Sequence, residues 1–269
     1  MKKNLLIAAM LLSSTVLATG MVVADPMTPQ GQNDASWRYT GAFYAFLPAR
    51  TTGTTTISGV TVPVDLDLGQ VLENLDFAAS GRLEAWKGDW GILVDANYYS
   101  LSADGNLPGP AGAPVGINVR QEWLGLIGAY RIANGTYGQS GNRFTVDLQA
   151  GARYNSLRQT VNIATPVPGV TLGGDESWWE PVIGARGKWE LNDRWTTVAS
   201  MEFGGFGAGG NDLQVAVNAG FDYKPWENTS VIFGYRYFSM DYSTTLAGGP
   251  FAYDVEQHGP YIGIKYVFQ

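Results

Sequence analysis

From Trp37 to Phe268 the chain alternates apolar and polar residues with a period of two. In "FAASGRLEAWKGDWGILVDANYYSL", Phe77, Ala79, Gly81, Leu83 and Ala85 share one face. Ala78, Ser80, Arg82, Glu84 and Trp86 share the other. Lys87-Gly88-Asp89 makes a tight turn, after which Ile92, Val94, Ala96 and Tyr98 alternate with Leu93, Asp95, Asn97 and Tyr99. This is a β-hairpin with an apolar and a polar face. The pattern returns in "RFTVDLQAGARYN", "WWEPVIGARGKWEL", "WTTVASMEF", "LQVAVNAGFDY" and "SVIFGYRYF". Trp37 to Leu47 and Ile117 to Ile132 also read as strands, the second with no clear inner face. The whole predicts about ten antiparallel strands, with eight and twelve as the neighbouring even counts, each long enough to cross a bilayer.

The connections alternate in length. Lys87–Asp89, Asn192–Arg194 and Pro225–Asn228 are short, whereas Arg50–Asp76, Ser102–Val115, Ser156–Glu176, Gly204–Asp212 and Ser243–Tyr253 are long. Short turns at one end and long loops at the other are the habit of a transmembrane barrel, and an even strand count puts both termini at the short-turn end. Alternation alone fits a soluble sandwich equally well, because there the apolar face is the core. Aromatic placement separates the two. Trp86, Trp90, Trp189, Trp195 and Trp226 lie beside short turns, while Trp178, Trp179, Tyr98, Tyr99 and Tyr242 lie near the opposite strand ends. Two aromatic belts around a band of Ala, Val, Leu and Phe are what membrane interfaces produce. The fold expected is all-β: a closed, antiparallel, up-and-down transmembrane β-barrel spanning residues 37–269.

Composition sharpens this. Only 15% of the residues are charged and 13% are aromatic, below and above what a soluble domain carries. The net charge of −7 argues against nucleic acid as a partner. There is no cysteine, hence no disulfide or thiol chemistry. Lys2 and Lys3, an apolar run from Leu5, and Val22-Val23-Ala24 before Asp25 read as a cleaved signal peptide, residues 1–24. A short periplasmic lead, 25–36, follows. No later run of about 18 apolar residues predicts a spanning helix.

With these features in place, the export signal, the alternating strands, the belts and the ending "YIGIKYVF" resemble the Gram-negative outer-membrane β-barrel class. "WWEPVIGARGKWELNDRW", "GGFGAGGND", "GYRYFSMDY" and "HGPYIGIKYVF" are similar to small porin-like barrels within it. The resemblance implies a cell outer-membrane location with periplasmic termini. It implies outer-membrane lipid, the barrel-assembly machinery and periplasmic chaperones during transit as partners. It also implies that Gly263, Tyr266 and Phe268 form a barrel-assembly signal, although Gln269 follows the Phe on which such chains usually end.

The polar faces carry Arg82, Arg153, Arg186, Lys188 and Arg236 against Glu84, Asp95, Asp147, Glu180, Glu202 and Asp222. In a barrel of this width these charges either pair into a bracing network that blocks the lumen or line a narrow, water-filled pore. Within 50–76, "TTISGVTVPV" predicts a hairpin, and Leu68, Val71, Leu72 and Leu75 predict a short amphipathic helix packed on the rim or capping the lumen. "GGFGAGGND" reads as a flexible turn or a ligand contact through Phe206. Pro181 and Pro260 are expected at the outer rim, above the paired band.

The function expected is a porin-like or structural barrel, a narrow channel for ions or small solutes being one form of it. The alternative is a surface adhesion or receptor barrel acting through its loops. Enzymatic activity is not expected. Asp254, Glu256 and His258 share one strand face, but no Ser or second carboxylate cluster is spaced to join them. One His and no Cys predict neither metal nor cofactor.

Overall fold

The computed structural model describes residues 36–106, 114–164 and 170–268. Residues 1–24, expected to be a signal peptide, most of the expected lead and Gln269 lie outside the described residues. The strands are β1 (Arg38–Phe46), β2 (Arg50–Ile57), β3 (Val60–Asp67), β4 (Leu75–Lys87), β5 (Trp90–Asn106) and β6 (Pro114–Tyr137). They continue as β7 (Asn142–Ile163), β8 (Val170–Asn192), β9 (Trp195–Ala208), β10 (Asn211–Tyr223), β11 (Thr229–Leu246) and β12 (Gly249–Phe268). One helix, α1 (Leu68–Asn74), separates β3 from β4.

Ten strands close into a barrel in the order β1-β4-β5-β6-β7-β8-β9-β10-β11-β12, with β12 pairing back onto β1. All neighbours are antiparallel, so no edge is left at membrane depth. The hairpin β2–β3 is additional. β12 spends its C-terminal half, Tyr261 to Phe268, on β1 and its N-terminal half, Ala252 to His258, on β2. β2 thus takes over the place of β1 above a break at Leu47–Ala49.

Many of the stretches expected as long loops are strand. β5 and β6 stay paired up to Asn106 and Pro114, β7 and β8 up to Ile163 and Val170, and β11 and β12 up to Leu246 and Gly249. Thr- and Gly-rich segments read as loops because they lack an apolar period, yet they extend ladders already begun below. Phe206, expected in a turn, lies within β9, in a bulge before the turn at Gly209-Gly210: the β9–β10 register skips it, and its backbone is left-handed (φ 54°) between Gly205 and Gly207, also at positive φ.

The prolines mark where ladders end, not the rim. Pro181 lies beside Val182, the last residue of β8 paired to β9, and β8 runs on upward with β7 alone. Pro260 lies beside Tyr261, the last β12 residue paired to β1. Neither position interrupts a continuous ladder on both sides.

A seam remains at the upper end. The β4–β5 ladder starts at Leu75 and Leu101, so Ser102–Asn106 of β5 pairs with β6 only, and β3 pairs with β2 only. Helix α1 lies against β3 and β5 and bridges this gap. Asp67 caps it: its carboxylate accepts from the Gln70 amide, and the Gln70 side chain accepts from the Asp67 amide, both at 2.9 Å. Val71 is buried at 3% exposure, whereas Leu72 is 48% exposed, so only part of the apolar stripe faces inward.

Candidate functional site

Parity decides what enters the interior. All eleven charged residues of the polar faces point inward and are buried: Arg82, Glu84, Asp95, Asp147, Arg153, Glu180, Arg186, Lys188, Glu202, Asp222 and Arg236. Arg131 and Lys265 join them. Arg131 escaped the sequence reading because Ile117–Ile132 carries apolar residues on both faces, with Trp123, Ile127 and Ala129 inward. A bulge between Arg131 and Ala133 also ends its regular period.

The charges form two connected clusters and one separate pair. In the first, Arg186 reaches Glu84 at 2.6 Å and Asp147 at 3.0 Å. Arg131 reaches Asp147 at 3.1 Å, and Lys188 stands 3.9 Å from it. Arg82 clasps Asp95 through Nε (2.5 Å) and Nη2 (2.7 Å) and lies 3.9 Å from Glu84. In the second, Arg153 holds Glu202 at 2.5 Å and Glu180 at 3.7 Å. Glu180 also accepts from Trp178 Nε1 (3.0 Å) and Asn211 Nδ2 (2.6 Å). Lys265 bonds Asp222 near the closing seam. Buried ions need both charge and hydrogen-bond partners. Shared carboxylates supply both to Arg82, Arg131 and Arg186, whereas Arg153 Nε and Nη1 and Glu180 Oε1 make no hydrogen bond.

Trp86 does not belong to the aromatic belt. Its exposure is 0%: it lies inside, on the parity of Arg82 and Glu84. Its Nε1 donates to Glu84 at 2.9 Å, and the Arg131 guanidinium sits 4.6 Å over its ring. Nearness to a short turn suggested the belt, but two-residue parity fixes the side chain inward. Trp178, Tyr99 and Tyr242 are likewise inward, with Trp178 stacked on Tyr242 at 4.3 Å.

Trp90, Trp189, Trp195 and Trp226 lie on the outward side or at the turn end. Trp90 packs on Tyr130 at 4.7 Å and Trp195 on Tyr223 at 4.6 Å. Trp37, Tyr39 and Phe268 are exposed at the same end, and Tyr98, Tyr154 and Trp179 at the other. Between these girdles Leu83, Ile92, Leu126, Leu148, Ile183, Met201 and Ile264 are open to the surroundings, which only a lipid phase makes favourable for so many large apolar groups. Gly263 pairs Tyr44 and Ile232, and a Cβ there would strike the Phe43 carbonyl and Tyr44. Tyr266 and Phe268 face outward with their rings 5.1 Å apart.

Above the upper girdle the interior changes character. Tyr44, Phe46, Ile57, Val64, Leu66, Val71, Tyr99, Leu101, Val119, Leu157, Val161, Phe238, Met240, Phe251, Tyr253 and Val255 form one apolar cluster. Hairpin β2–β3 and α1 contribute four of these, Ile57, Val64, Leu66 and Val71. The lumen therefore holds its ion pairs below, beside a small apolar cluster of Trp86, Leu93, Ile127, Ala129 and Val182, and is mainly apolar above, with Thr51 and Thr55 of β2 among the apolar side chains.

His258 faces outward with Asp254 and Glu256. Its Nδ1 lies 2.6 Å from the Tyr235 hydroxyl, not beside a carboxylate. Among the described residues no three His, Cys, Asp or Glu converge to hold a metal.

No protein-family model and no curated protein matches the chain. Among solved structures the likeness is distant. The translocator domain of the autotransporter NalP from Neisseria meningitidis is 14% identical, with a TM-score of 0.45 over 88% of this chain and 90% of that one. The outer membrane protease OmpT from Escherichia coli is 12% identical, with a TM-score of 0.49 over 86% and 97%. Ail, the attachment invasion locus protein of Yersinia pestis, is 9% identical, with a TM-score of 0.34 over 86% and 97%. These are Gram-negative outer-membrane β-barrels.

Proposed function

We propose that the chain resides in the outer membrane as a sealed structural barrel, its termini in the periplasm and its upper tier outside the cell. The observation that carries this reading is the filled interior. Most charged side chains of the lower tier are buried in ion pairs, Arg236 being the exception, and apolar side chains fill much of the space above them. A channel needs a continuous hydrated path, and side chains packed this densely across the lumen oppose one. Gly263, Tyr266 and Phe268 on the closing strand serve as the assembly signal in this reading. The refolded protein in planar bilayers is expected to give no discrete current steps. Reproducible unitary steps from the unaltered chain would overturn the sealed reading.

One observation favours a second reading, a narrow channel gated from above. Beside the lower rows of the apolar tier several buried amides have no protein partner, among them both side-chain atoms of Gln121, Asn155, Gln214 and Gln257. Such groups are normally hydrated. If the hairpin and α1 act as a lid over this polar layer, deleting 68–75 opens steps that the unaltered chain lacks. Unchanged, step-free bilayers after deletion dismiss the lid.

A further inference from the structure

Seven cationic side chains are buried among the described residues: Arg82, Arg131, Arg153, Arg186, Lys188, Lys265 and Arg236. The first six each have a carboxylate within 4.0 Å. Arg236, at 2% exposure, has none. Six buried carboxylates face these seven cations, so Arg236 is the unmatched charge.

The pattern of its nitrogens is specific. Nε and Nη2 of Arg236 are buried and have no hydrogen-bond partner. They form the side-on edge of the guanidinium, the edge that takes a carboxylate in two parallel bonds. Arg82 uses that same edge on Asp95, through Nε to Oδ1 and Nη2 to Oδ2, and Arg158 uses it on Asp175. The rings of Phe46 and Phe238 lie 5.2 and 5.7 Å from the guanidinium carbon, where they steady its plane but offer no acceptor in it. Its cross-strand neighbours are Gly259, with no side chain, and Asn218, an amide where a carboxylate would complete the pair. The Oδ1 of Asn218 and the amides of Gln257 and Gln214, on the two flanking strands, are also buried without partners.

We propose that Arg236 anchors an internal binding site for a small oxyanion, a carboxylate or an inorganic phosphate, beneath the apolar tier. Two oxygens of the anion accept from Nε and Nη2, as Asp95 does at Arg82. The unpartnered amide of Gln257, paired with Phe238 one inward position along β11, is the nearest candidate by register to serve the rest. A buried guanidinium left unpaired carries a large desolvation penalty, and the anion removes it. The site makes no use of conduction and is independent of whether the barrel is sealed.

The test refolds the full chain into detergent micelles with acetate or phosphate present from the start, at constant ionic strength, with chloride as the monatomic control. Thermal unfolding is followed by the heat-dependent gel shift. A ligand bound to the folded state raises the midpoint in a saturable way. The expected result is such a rise in acetate or phosphate, absent in chloride and lost in Arg236→Met. Asn218→Asp covers the case in which that variant does not fold. It supplies a carboxylate opposite the fork and should abolish the response while raising the midpoint without added anion. A saturable rise in acetate alone assigns a carboxylate, and one in phosphate alone assigns an inorganic oxyanion. A midpoint indifferent to both anions in the unaltered chain, or an equal response in Asn218→Asp, overturns the site and leaves Arg236 solvated by water alone.

Discussion

The lower and upper tiers of the barrel are built from the same strands with the same face turned inward, but the chemistry of the two faces is exchanged between them. Along β12 the outward residues are Asp254, Glu256 and His258 above, then Ile262, Ile264, Tyr266 and Phe268 below. The inward residues are Phe251, Tyr253 and Val255 above, then Gln257, Tyr261 and Lys265 below. β7 does the same: Leu148, Ala150 and Tyr154 face out below and Arg158 and Asn162 above, against Asp147 and Arg153 inward below and Leu157 and Val161 above. No register shift marks the change in either ladder, β11–β12 or β7–β8. The backbone does not turn over; the sequence does. Alternation by itself therefore has no inside. Each tier puts its apolar face wherever water is absent, which is toward lipid below and toward the core above.

The comparison breaks most sharply at the ion clusters. Arg186→Met removes the group shared by Glu84 and Asp147 and leaves two buried carboxylates short of a partner. The loss should be about 3–5 kcal/mol of barrel stability. Urea unfolding in lipid vesicles, read by tryptophan emission, measures it. A loss under 1 kcal/mol would mean that water already serves those carboxylates.

The next effect separates the tiers on one strand. Ala150→Arg and Thr160→Arg both place a guanidinium on the outward side of β7. At the lipid band the change should cost about 2–4 kcal/mol, and above the girdle close to nothing. Equal costs at the two positions would place the membrane boundary elsewhere.

The upper tier has its own weak point, the seam bridged by α1. Val71→Ala deletes two buried methyl groups and should cost about 2 kcal/mol from transfer and cavity terms together. Because the ten-strand closure lies below, the change should appear as faster proteolysis within residues 68–74 with the gel shift intact. Global loss of the gel shift would show that the tiers unfold as one unit.

The lower tier was legible because its period is long and its contrast strong. Arg82 and Glu84 alternate with Leu83 and Ala85, and parity alone sends the charges inward. Trp86 was misplaced when its position beside a turn outweighed that same parity. The upper tier was hard to see for a physical reason: its outward residues are Thr, Ser, Gly and Asp, which also make loops, and its inward ones are spread among them. Leu157 and Val161 stand between Ser156, Arg158 and Thr160, and look like isolated apolar residues until β8 is known to cover them. The hairpin and helix in 50–76 could be seen locally, but their role across the β3–β5 gap depends on a pairing that no local pattern encodes. The unmatched state of Arg236 was hidden for the same reason, since its neighbours are known only from the register.

The smallest effect belongs to the outward charges of the upper tier, and it tests the solvent each tier meets. Arg158 and Asp175 pair side-on across β7 and β8 above the upper girdle. The Asp175 carboxyl is held below its usual range, chiefly by hydrogen bonding to Arg158, with burial opposing and the positive charges of Arg158 and Arg120 adding to it. Its folded pKa lies below its unfolded value, so the pair's stabilisation is present above the unfolded pKa and fades as pH falls through the folded one. Water screens both groups, so Asp175→Asn should move the neutral-pH midpoint barely above error, and the difference from the unaltered chain should begin to fade below about pH 4 and be gone only once pH lies below the folded pKa. Salt at 1 M should erase it too, since the screening length there is about 3 Å. Arg186→Met in the lower tier should be indifferent to that salt. If salt shifted both variants alike, the lower charges would be meeting solvent as the upper ones do, and the inversion between tiers would not extend to their electrostatics.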